Sequence, residues 1–217
     1  TGGGYIGSLD GTLIEALFKA PQGITIDEDG NLYVADTGNH LIRKINLYPG
    51  DNNGHGAVTS SVTADNGDVT TLAGNGNDGN TNANGVLASF NQPYDTAVDT
   101  SGNVFVADYS NHLIRKITPE GVVTTFAGSG TAGAVDGVGT AARFNYPSGL
   151  AIDADNNLYV ADTSNYTIRK ITPEAVVTNY AGIAGGNGST DGTSSGAQFY
   201  VPFDVALDTS GNLYVAD

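Results

Sequence analysis

The sequence predicts an all-β protein built from several copies of one unit of four short antiparallel strands. Glycine makes up 31 of the 217 residues, and Val, Ile, Thr and Tyr recur in short runs between Gly, Asn and Asp, which indicates many strands joined by tight turns. One pattern of about 54 residues also recurs along the chain, and a repeat of this length is typical of propellers and solenoids. We therefore predict a β-propeller in which each repeat forms one blade.

Two independent markers fix the register of the repeat. A proline opens each copy, and the aspartate of a Val-Ala-Asp triplet follows it at a constant distance. The markers are Pro21, Pro93, Pro147 and Pro202, and Asp36, Asp108, Asp162 and Asp217. They divide one propeller domain over residues 1–217 into approximate repeats 1–73, 74–127, 128–181 and an incomplete 182–217. We expect about 3.5 blades, completed either by a larger array or by strands of another copy, because an open blade edge is a template for pairing.

Each copy begins with strand a, which in the first copy spans residues 23–27. An Asp-x-x-Gly-Asn turn then leads to strand b. In the third copy Asn156 stands at the glycine position, and this supports the turn because Asn tolerates the left-handed region best among the other residues. Strand b reads Leu-Tyr-Val-Ala or its close variant, and such continuously apolar strands favour a sheet covered on both faces, as a blade is by its neighbours.

A second turn leads to strand c, predicted at residues 40–45, and strand d follows at residues 69–73. A glycine-rich linker of about 20 residues then runs to the next proline, and a loop of this length normally needs packing of its own. Every linker carries an Ala-x-Phe motif, with Phe18, Phe90, Phe144 and Phe199 three residues before the proline. We predict that these phenylalanines pack between adjacent blades and do not contact a ligand.

Three motifs identify a family resemblance. Pro-x-Gly-Ile/Leu-Ala-Ile-Asp, Gly-Asn-Leu-Tyr-Val-Ala-Asp and Asn-His-x-Ile-Arg-Lys-Ile resemble the NHL repeat, which is named after the Asn-His-Leu found here at residues 39–41 and 111–113. The resemblance covers nearly the whole chain and is close to the long-linker version common in secreted bacterial proteins. It therefore implies an extracellular or cell-surface location. The third copy departs from the motif at Tyr166, so a histidine is not required at this position, which argues against a shared catalytic role for it.

Charge and composition restrict the partners. The chain has 23 acidic and 8 basic residues, and a net charge of -15 disfavours nucleic-acid phosphates and anionic membrane surfaces. No apolar run of about 18 residues occurs, so we expect no membrane insertion. The absence of cysteine excludes disulfides and thiolate metal sites. A protein or glycan, or further copies of the chain, are the partners that these observations leave.

The recurrent aspartates and arginines have two interpretations. In one interpretation, these side chains line a groove for polar ligands. They are Asp36, Asp108 and Asp162, with Arg43, Arg115 and Arg169. In the other they form one ion pair per blade between strands b and c. We favour the ion pairs, because a motif present in every blade is usually part of the blade.

The linkers and the one insertion contain the remaining candidate sites. Linker oxygens suit a hard cation such as Ca²⁺, with Asp78, Asp136 and Asp191 as the carboxylates, although flexible glycine loops explain the same composition. No other cofactor is predicted. The insertion at residues 47–67 is not dictated by the repeat, and Tyr48, Asp51, His55 and Asp65 are its candidate binding residues. An extended hairpin is the alternative. Asn165 and Asn187 lie in glycosylation sequons.

Two functional hypotheses follow. The first is a non-catalytic extracellular module that binds a protein or a glycan, or that serves as a structural scaffold and a subunit of a surface fibre or filament. The second is a propeller lyase or hydrolase whose metal-assisted site lies partly outside these residues, as the resemblance to amidating lyases and streptogramin lyase implies. The first is favoured because His40 and His112 belong to the repeat and leave only His55 as a singular histidine, too few for a three-histidine metal site.

Overall fold

The computed structural model of the protein describes residues 6–47 and 67–217, which fold into strands, 3-10 turns and loops without an α-helix. Blade 1 contains β1 (Gly11–Thr12), β2 (Ile24–Ile26), β3 (Leu32–Asp36), β4 (Leu41–Asn46) and β5 (Asp68–Ala73). Blade 2 contains β6 (Pro93–Val98), β7 (Val104–Asp108), β8 (Leu113–Ile117) and β9 (Val123–Ala127). Blade 3 contains β10 (Gly137–Val138), β11 (Pro147–Ile152), β12 (Leu158–Asp162), β13 (Thr167–Ile171) and β14 (Val176–Ala181). Blade 4 contains β15 (Asp204–Leu207) and β16 (Leu213–Ala216).

The four sheets are arranged as successive blades of a β-propeller. Apart from β1 and β10, which lie at the outer edges, the strands of each sheet follow chain order and pair in antiparallel fashion. The innermost strands of the four blades, called their first strands below, are β2, β6, β11 and β15. These first strands contact one another from blade to blade, which places them around a common axis. The β-propeller prediction is confirmed.

The linkers are more ordered than the predicted glycine loops. In blades 1 and 3 the linker that precedes the blade adds a fifth, two-residue strand to the outer edge, where β1 pairs with β5 and β10 pairs with β14. In blade 2 the corresponding contact is a single bridge between Asn84 and Val122. The four predicted strands are thus present in blades 1 to 3, and in blades 1 and 3 the linker backbone adds two residues that satisfy groups on the outer strand.

The turns follow the sequence pattern. Gly30, Gly102 and Gly211 have φ near +80°, and Asn156 takes the same left-handed conformation with φ +61°, as predicted. The second turn is a 3-10 turn at Thr37–Asn39, Tyr109–Asn111 and Thr163–Asn165. The residue after each 3-10 turn is left-handed, and for this reason strand c begins at Leu41 and not at His40. We call the end of the propeller that carries these 3-10 turns and the linkers the linker face.

The core lies between blades. Phe90 and Phe144 have no exposed surface and each belongs to a cluster that joins two successive blades, which confirms that they pack between blades. Phe18 and Phe199, in the first and last blades, are only partly buried. Three arginines are as deeply buried as the phenylalanines, namely Arg43, Arg115 and Arg169.

Candidate functional site

The polar residues that recur in every blade hold the blade together. Arg169 on β13 donates from Nη1 to Oδ2 of Asp162 at the end of β12, at 3.0 Å, and both side chains are buried. The same pair recurs as Arg43 with Asp36 and as Arg115 with Asp108. The predicted ion pairs between strands b and c are confirmed. Burial raises the pKa of Asp108 and Asp162 to about 6, which leaves both carboxylates ionised at pH 7.

Each arginine also binds the linker that precedes its blade. Arg169 donates to the carbonyl oxygens of Arg143 and Val135, at 3.0 and 3.2 Å, and to the carboxylate of Asp136. Its guanidinium carbon lies 5.4 Å from the centre of the Phe144 ring. The repeated arginine therefore connects strand b, strand c and the linker through its two terminal nitrogens, whereas its Nε is buried without a hydrogen-bond partner among the described residues.

The two histidines of the described repeats are also used structurally. His40 Nδ1 accepts a hydrogen bond from the backbone N–H of Gln92, and His112 Nδ1 accepts one from the backbone N–H of Tyr146, at 3.1 and 3.0 Å. Burial lowers the pKa of His112. Its ring is thus neutral at pH 7, with the proton on Nε2, and it fixes the start of blade 3.

A group of aromatic side chains from three blades meets near the axis on the linker face. The axial aromatic cluster consists of Tyr94, Tyr109, Tyr146 and Phe203. Tyr94 and Tyr109 are stacked with ring centres 4.1 Å apart, Tyr146 lies 4.8 Å from Tyr109, and Phe203 lies 5.7 Å from Tyr94. Tyr146 is 38% exposed and Phe203 is 43% exposed. Burial raises the pKa of Tyr109, and the neighbouring Tyr94 and Tyr146 raise it further.

Polar groups surround the rings. His112 lies edge-on to Tyr146 with ring centres 4.5 Å apart. Ser110, which follows Tyr109 in the chain, donates a hydrogen bond to Oε1 of the exposed Gln92 at 2.8 Å. An apolar surface bordered by hydrogen-bonding groups is typical of a binding site for a small, mostly uncharged ligand.

The cluster arises from an alternation between odd and even blades. In blades 1 and 3 the first residue of the 3-10 turn is a threonine, and Thr37 and Thr163 donate to the carbonyl oxygens of Pro93 and Pro202 in the next blade. Tyr109 takes this position in blade 2 and stacks on Tyr94 instead. The residue after the repeat proline alternates in the same way, as Gln22, Tyr94, Ser148 and Phe203. Comparison of equivalent positions between copies would have identified this cluster, which the sequence analysis missed.

A carboxyl group lies next to the cluster at the axis. Asp95 on β6 accepts hydrogen bonds from the backbone N–H groups of Thr96 and of Leu150, both at 2.8 Å. A Cβ atom on Gly23 of blade 1 would lie 1.9 Å from Oδ1 of Asp95, so only glycine fits there. Burial raises the pKa of Asp95 to about 7. The same position alternates around the axis as Gly23, Asp95, Gly149 and Asp204.

The three aspartates predicted as calcium ligands lie in three different linkers, and the structure does not bring them together. Asp136 forms an ion pair with Arg169, which uses one of its oxygens. Asp191 is the equivalent of Asp136 in the linker before blade 4, and Asp78 is exposed. Among residues 6–47 and 67–217, no three His, Asp or Glu side chains are grouped as metal ligands. Calcium binding at a single linker stays a prediction.

The other predicted sites have different positions. Asn165 is buried, and its amide donates to the carbonyl of Gly133 and to Asp162, which leaves neither space nor a free amide hydrogen for a glycan in the folded chain. Asn187 is exposed, and its glycosylation stays a prediction. The candidate binding residues Tyr48, Asp51, His55 and Asp65 lie outside the described residues. Within the described ranges, no helix is long and apolar enough to cross a membrane.

Comparison with known proteins connects the repeat to a family. The family model described as "NHL repeat" matches residues 18–45, 90–117 and 144–171. Human NHL repeat-containing protein 2 is 29% identical over 252 residues, which cover all of this chain and 32% of that protein. Peptidyl-glycine alpha-amidating monooxygenase A of Xenopus laevis is 33% identical over 156 residues, which cover 70% of this chain and 14% of that protein. The chain spans well under half the length of these two relatives.

Solved structures show the same architecture. An auxiliary nutrient binding protein from Bacteroides ovatus superposes with a TM-score of 0.64 and 18% identity, over 93% of this chain and 46% of that chain. At this level of identity the likeness extends to the fold alone.

Proposed function

We propose that this chain, which is an NHL-repeat protein with the β-propeller fold, is a non-catalytic extracellular module that binds a glycan through the axial aromatic cluster. One observation carries the proposal: four aromatic rings from three blades meet at the axis, and two of them are more than a third exposed. Exposed apolar patches that are bordered by polar groups commonly mark binding sites.

The chemistry of the cluster favours a neutral, hydroxylated ligand with an apolar face. Aromatic rings offer a large rigid contact surface, and the tyrosine hydroxyls add hydrogen bonds at its edge. His112 is neutral because burial lowers its pKa, and since its Nδ1 already accepts from Tyr146, its Nε2–H can donate to a ligand without adding charge. The net charge of -15 disfavours an anionic ligand. A sugar ring combines an apolar C–H face with hydroxyls and meets these conditions.

An extracellular location supports this proposal and is itself a proposal. It rests on the resemblance to the long-linker repeats of secreted bacterial proteins. The nutrient-binding protein from Bacteroides ovatus has the same fold, and a glycan-binding role for the present chain is compatible with that kind of protein.

Glycan-array binding followed by calorimetry tests the proposal. We expect Tyr146→Ala and Phe203→Ala each to weaken binding of the best glycan at least tenfold, because these two rings form the exposed part of the cluster. Tyr180→Ala is the matched control, since Tyr180 is equally exposed but lies on the outer strand β14. Failure of every glycan to bind, or equal losses in all three variants, would reject the proposal.

An enzymatic role of the lyase type, which the resemblance of the repeat to amidating lyases implies, is the alternative. It is tested by metal analysis of the purified chain together with turnover of carbinolamide and lactone substrates. Stoichiometric transition metal with turnover would replace the binding-module proposal.

A further inference from the structure

A cleft opens between blades 1 and 2 at the end of the propeller opposite the linker face. We call this end the turn face, because it carries the Asp-x-x-Gly-Asn turns that join strands a and b. The cleft has a volume of about 370 Å³, within the range of about 300 to 1,000 Å³ that ligand pockets usually have. Blade 1 lines it with its turn, Tyr33, Lys44 and Leu72, and blade 2 lines it with its turn and Val104.

The cleft lies where the next two blades place an aromatic ring of their own. In blades 2 and 3 the residue before the last alanine of strand d is aromatic and packs edge-on against the ring of strand b. The two pairs are Phe126 with Phe105 and Tyr180 with Tyr159, with ring centres 4.9 and 5.0 Å apart. In blade 1 the same position is Leu72. Because leucine lacks the ring, the space that a ring takes in blades 2 and 3 belongs to the cleft in blade 1.

The mouth of the cleft is open for a related reason. Between blades 2 and 3 the two turns are linked by a hydrogen bond of 3.4 Å between the side chains of Thr100 and Asn156. The equivalent pair between blades 1 and 2 is Glu28 and Gly102, and a glycine has no side chain that could close the gap. Within the described ranges, no hydrogen bond joins the turns of blades 1 and 2.

The charges that line the cleft attract cations. Among the described residues, four carboxylates line it against the one ammonium group of Lys44, namely Asp27, Glu28, Asp29 and Asp99. Lys44 lies over the ring of Tyr33, with Nζ 5.6 Å from the ring centre. Glu28 and Asp29 are exposed at the mouth and form no ion pair within the part of the chain that the structure describes. Their charges are therefore available to a cationic ligand.

The walls of the cleft are fixed by hydrogen bonds. The carboxylate of Asp27 accepts from the backbone N–H of Asn31 at 2.8 Å and from the hydroxyl of Tyr33 at 2.9 Å. Burial and this hydrogen bond to Asp27 raise the pKa of Tyr33, so that its hydroxyl stays a donor. In blade 2, Asp99 accepts from the backbone N–H of Asn103 at 2.8 Å. A cleft that is formed before the ligand arrives reduces the ordering cost of binding.

We propose that this cleft is a binding site for a small aromatic ammonium cation. The ring of the ligand lies on the apolar wall formed by Leu72 and Val104, in the space that the chain fills with its own ring in blades 2 and 3. Its ammonium group faces the carboxylates of Glu28 and Asp29 at the mouth. A neutral aromatic compound lacks the second of these contacts, and an aliphatic ammonium ion lacks the first.

Isothermal titration calorimetry of the chain with 2-phenylethylammonium tests the site. We expect saturable binding that weakens with rising salt concentration, because the carboxylates at the mouth are exposed. Two analogues separate the contributions of charge and ring. The neutral 2-phenylethanol, and butylammonium, which has the charge without the ring, are each expected to bind at least fivefold more weakly.

Variants of the chain locate the site. Leu72→Phe restores the ring of the other blades and is expected to weaken binding at least tenfold by filling the cleft. Glu28→Gln and Asp29→Asn are each expected to weaken binding about two- to fivefold, since exposed charges contribute little singly. Asp155→Asn is the matched control, because Asp155 has the place of Asp29 in the turn of blade 3, is also exposed and does not line the cleft. Tyr146→Ala, in the axial aromatic cluster, should leave the affinity unchanged.

Five outcomes would overturn the proposal. Three concern the site, namely no saturable binding of 2-phenylethylammonium, equal affinity for 2-phenylethanol, and unchanged affinity in a folded Leu72→Phe variant. The other two are an equal effect of Asp155→Asn and Asp29→Asn, which would reveal attraction by net charge alone, and a loss of binding in Tyr146→Ala, which would place the ligand at the proposed glycan site. If thermal unfolding shows that Leu72→Phe does not fold, the carboxylate variants decide the test.

Discussion

The carboxylate of Asp95 in blade 2 accepts a hydrogen bond from the backbone N–H of Leu150 in blade 3, at 2.8 Å. Burial raises the pKa of this carboxyl from 3.8 to about 7 in the folded protein. The unfolded chain therefore loses this proton at lower pH than the folded chain does. The contribution of Asp95 to stability is fully present below pH 4 and is lost as pH rises to about 7.

Asp95→Asn removes this titration. We expect the difference in unfolding free energy between the wild type and the variant to change by ~4 kcal/mol between pH 4 and pH 7, in the direction that disfavours the wild type at pH 7. Urea denaturation at several pH values measures it. A difference that does not vary with pH would show that Asp95 has an ordinary pKa.

Gly23→Ala is expected to destabilise the protein by about 1 to 3 kcal/mol, because the added Cβ would overlap Asp95 and force the first strands of blades 1 and 2 apart. Gly196→Ala, whose nearest contact would be an ordinary 3.4 Å, serves as the control. The double variant Gly23→Ala with Asp95→Gly should recover part of the loss. Equal denaturation midpoints for the two single variants would contradict the close approach of Gly23 and Asp95.

Phe90→Ala or Phe144→Ala is expected to cost about 3 to 5 kcal/mol of unfolding free energy, since each ring is fully buried between two blades. Phe203→Ala, in which a 43% exposed ring is removed, should cost much less. Denaturant midpoints of the three variants measure the difference. Similar midpoints would indicate that the linker phenylalanines contribute no more than a surface ring.

The two aspartates that bind Arg169 should differ in importance. The Asp162 side chain has no exposed surface, and Asp162→Asn removes the buried negative charge that pairs with the Arg169 guanidinium, at an expected cost of about 3 to 5 kcal/mol. The Asp136 side chain is 55% exposed, and Asp136→Asn should cost about 0 to 1 kcal/mol, as blade 2 already carries Asn82 there. Thermal denaturation in low and high salt compares them. A larger loss for Asp136→Asn would refute the dominance of the buried pair.

Much of the fold was predictable because the repeat carries two markers. The recurring proline and the aspartate of Val-Ala-Asp fixed the strand register, and Asn156 at a glycine position correctly indicated a left-handed turn. The two-residue strand at Gly137–Val138 was not predictable, since two residues show no periodicity and their pairing depends on the path of the linker. Asp136 was predicted to be a calcium ligand because its ion pair could not be recognised in the sequence. Its partner Arg169 lies 33 residues away, on a strand.

The candidate site was hidden for a related reason. The axial aromatic cluster draws its residues from three repeats, namely Tyr94, Tyr109, Tyr146 and Phe203. Each of these residues, taken alone, resembles a tolerated substitution at a variable position of the repeat. Only the geometry of neighbouring blades brings the four rings together. The spacing within one repeat contains no information on such a contact, whereas a comparison of alternate repeats does.

The alternation of Gly23, Asp95, Gly149 and Asp204 at the axis has a consequence for how this array can change in length. Duplication or deletion of two neighbouring blades preserves a glycine beside every aspartate. Gain or loss of a single blade would set two aspartates side by side, with mutual repulsion, or two glycines, with a gap at the axis. The packing unit at the axis of this propeller is thus a pair of blades, although the sequence repeat corresponds to a single blade.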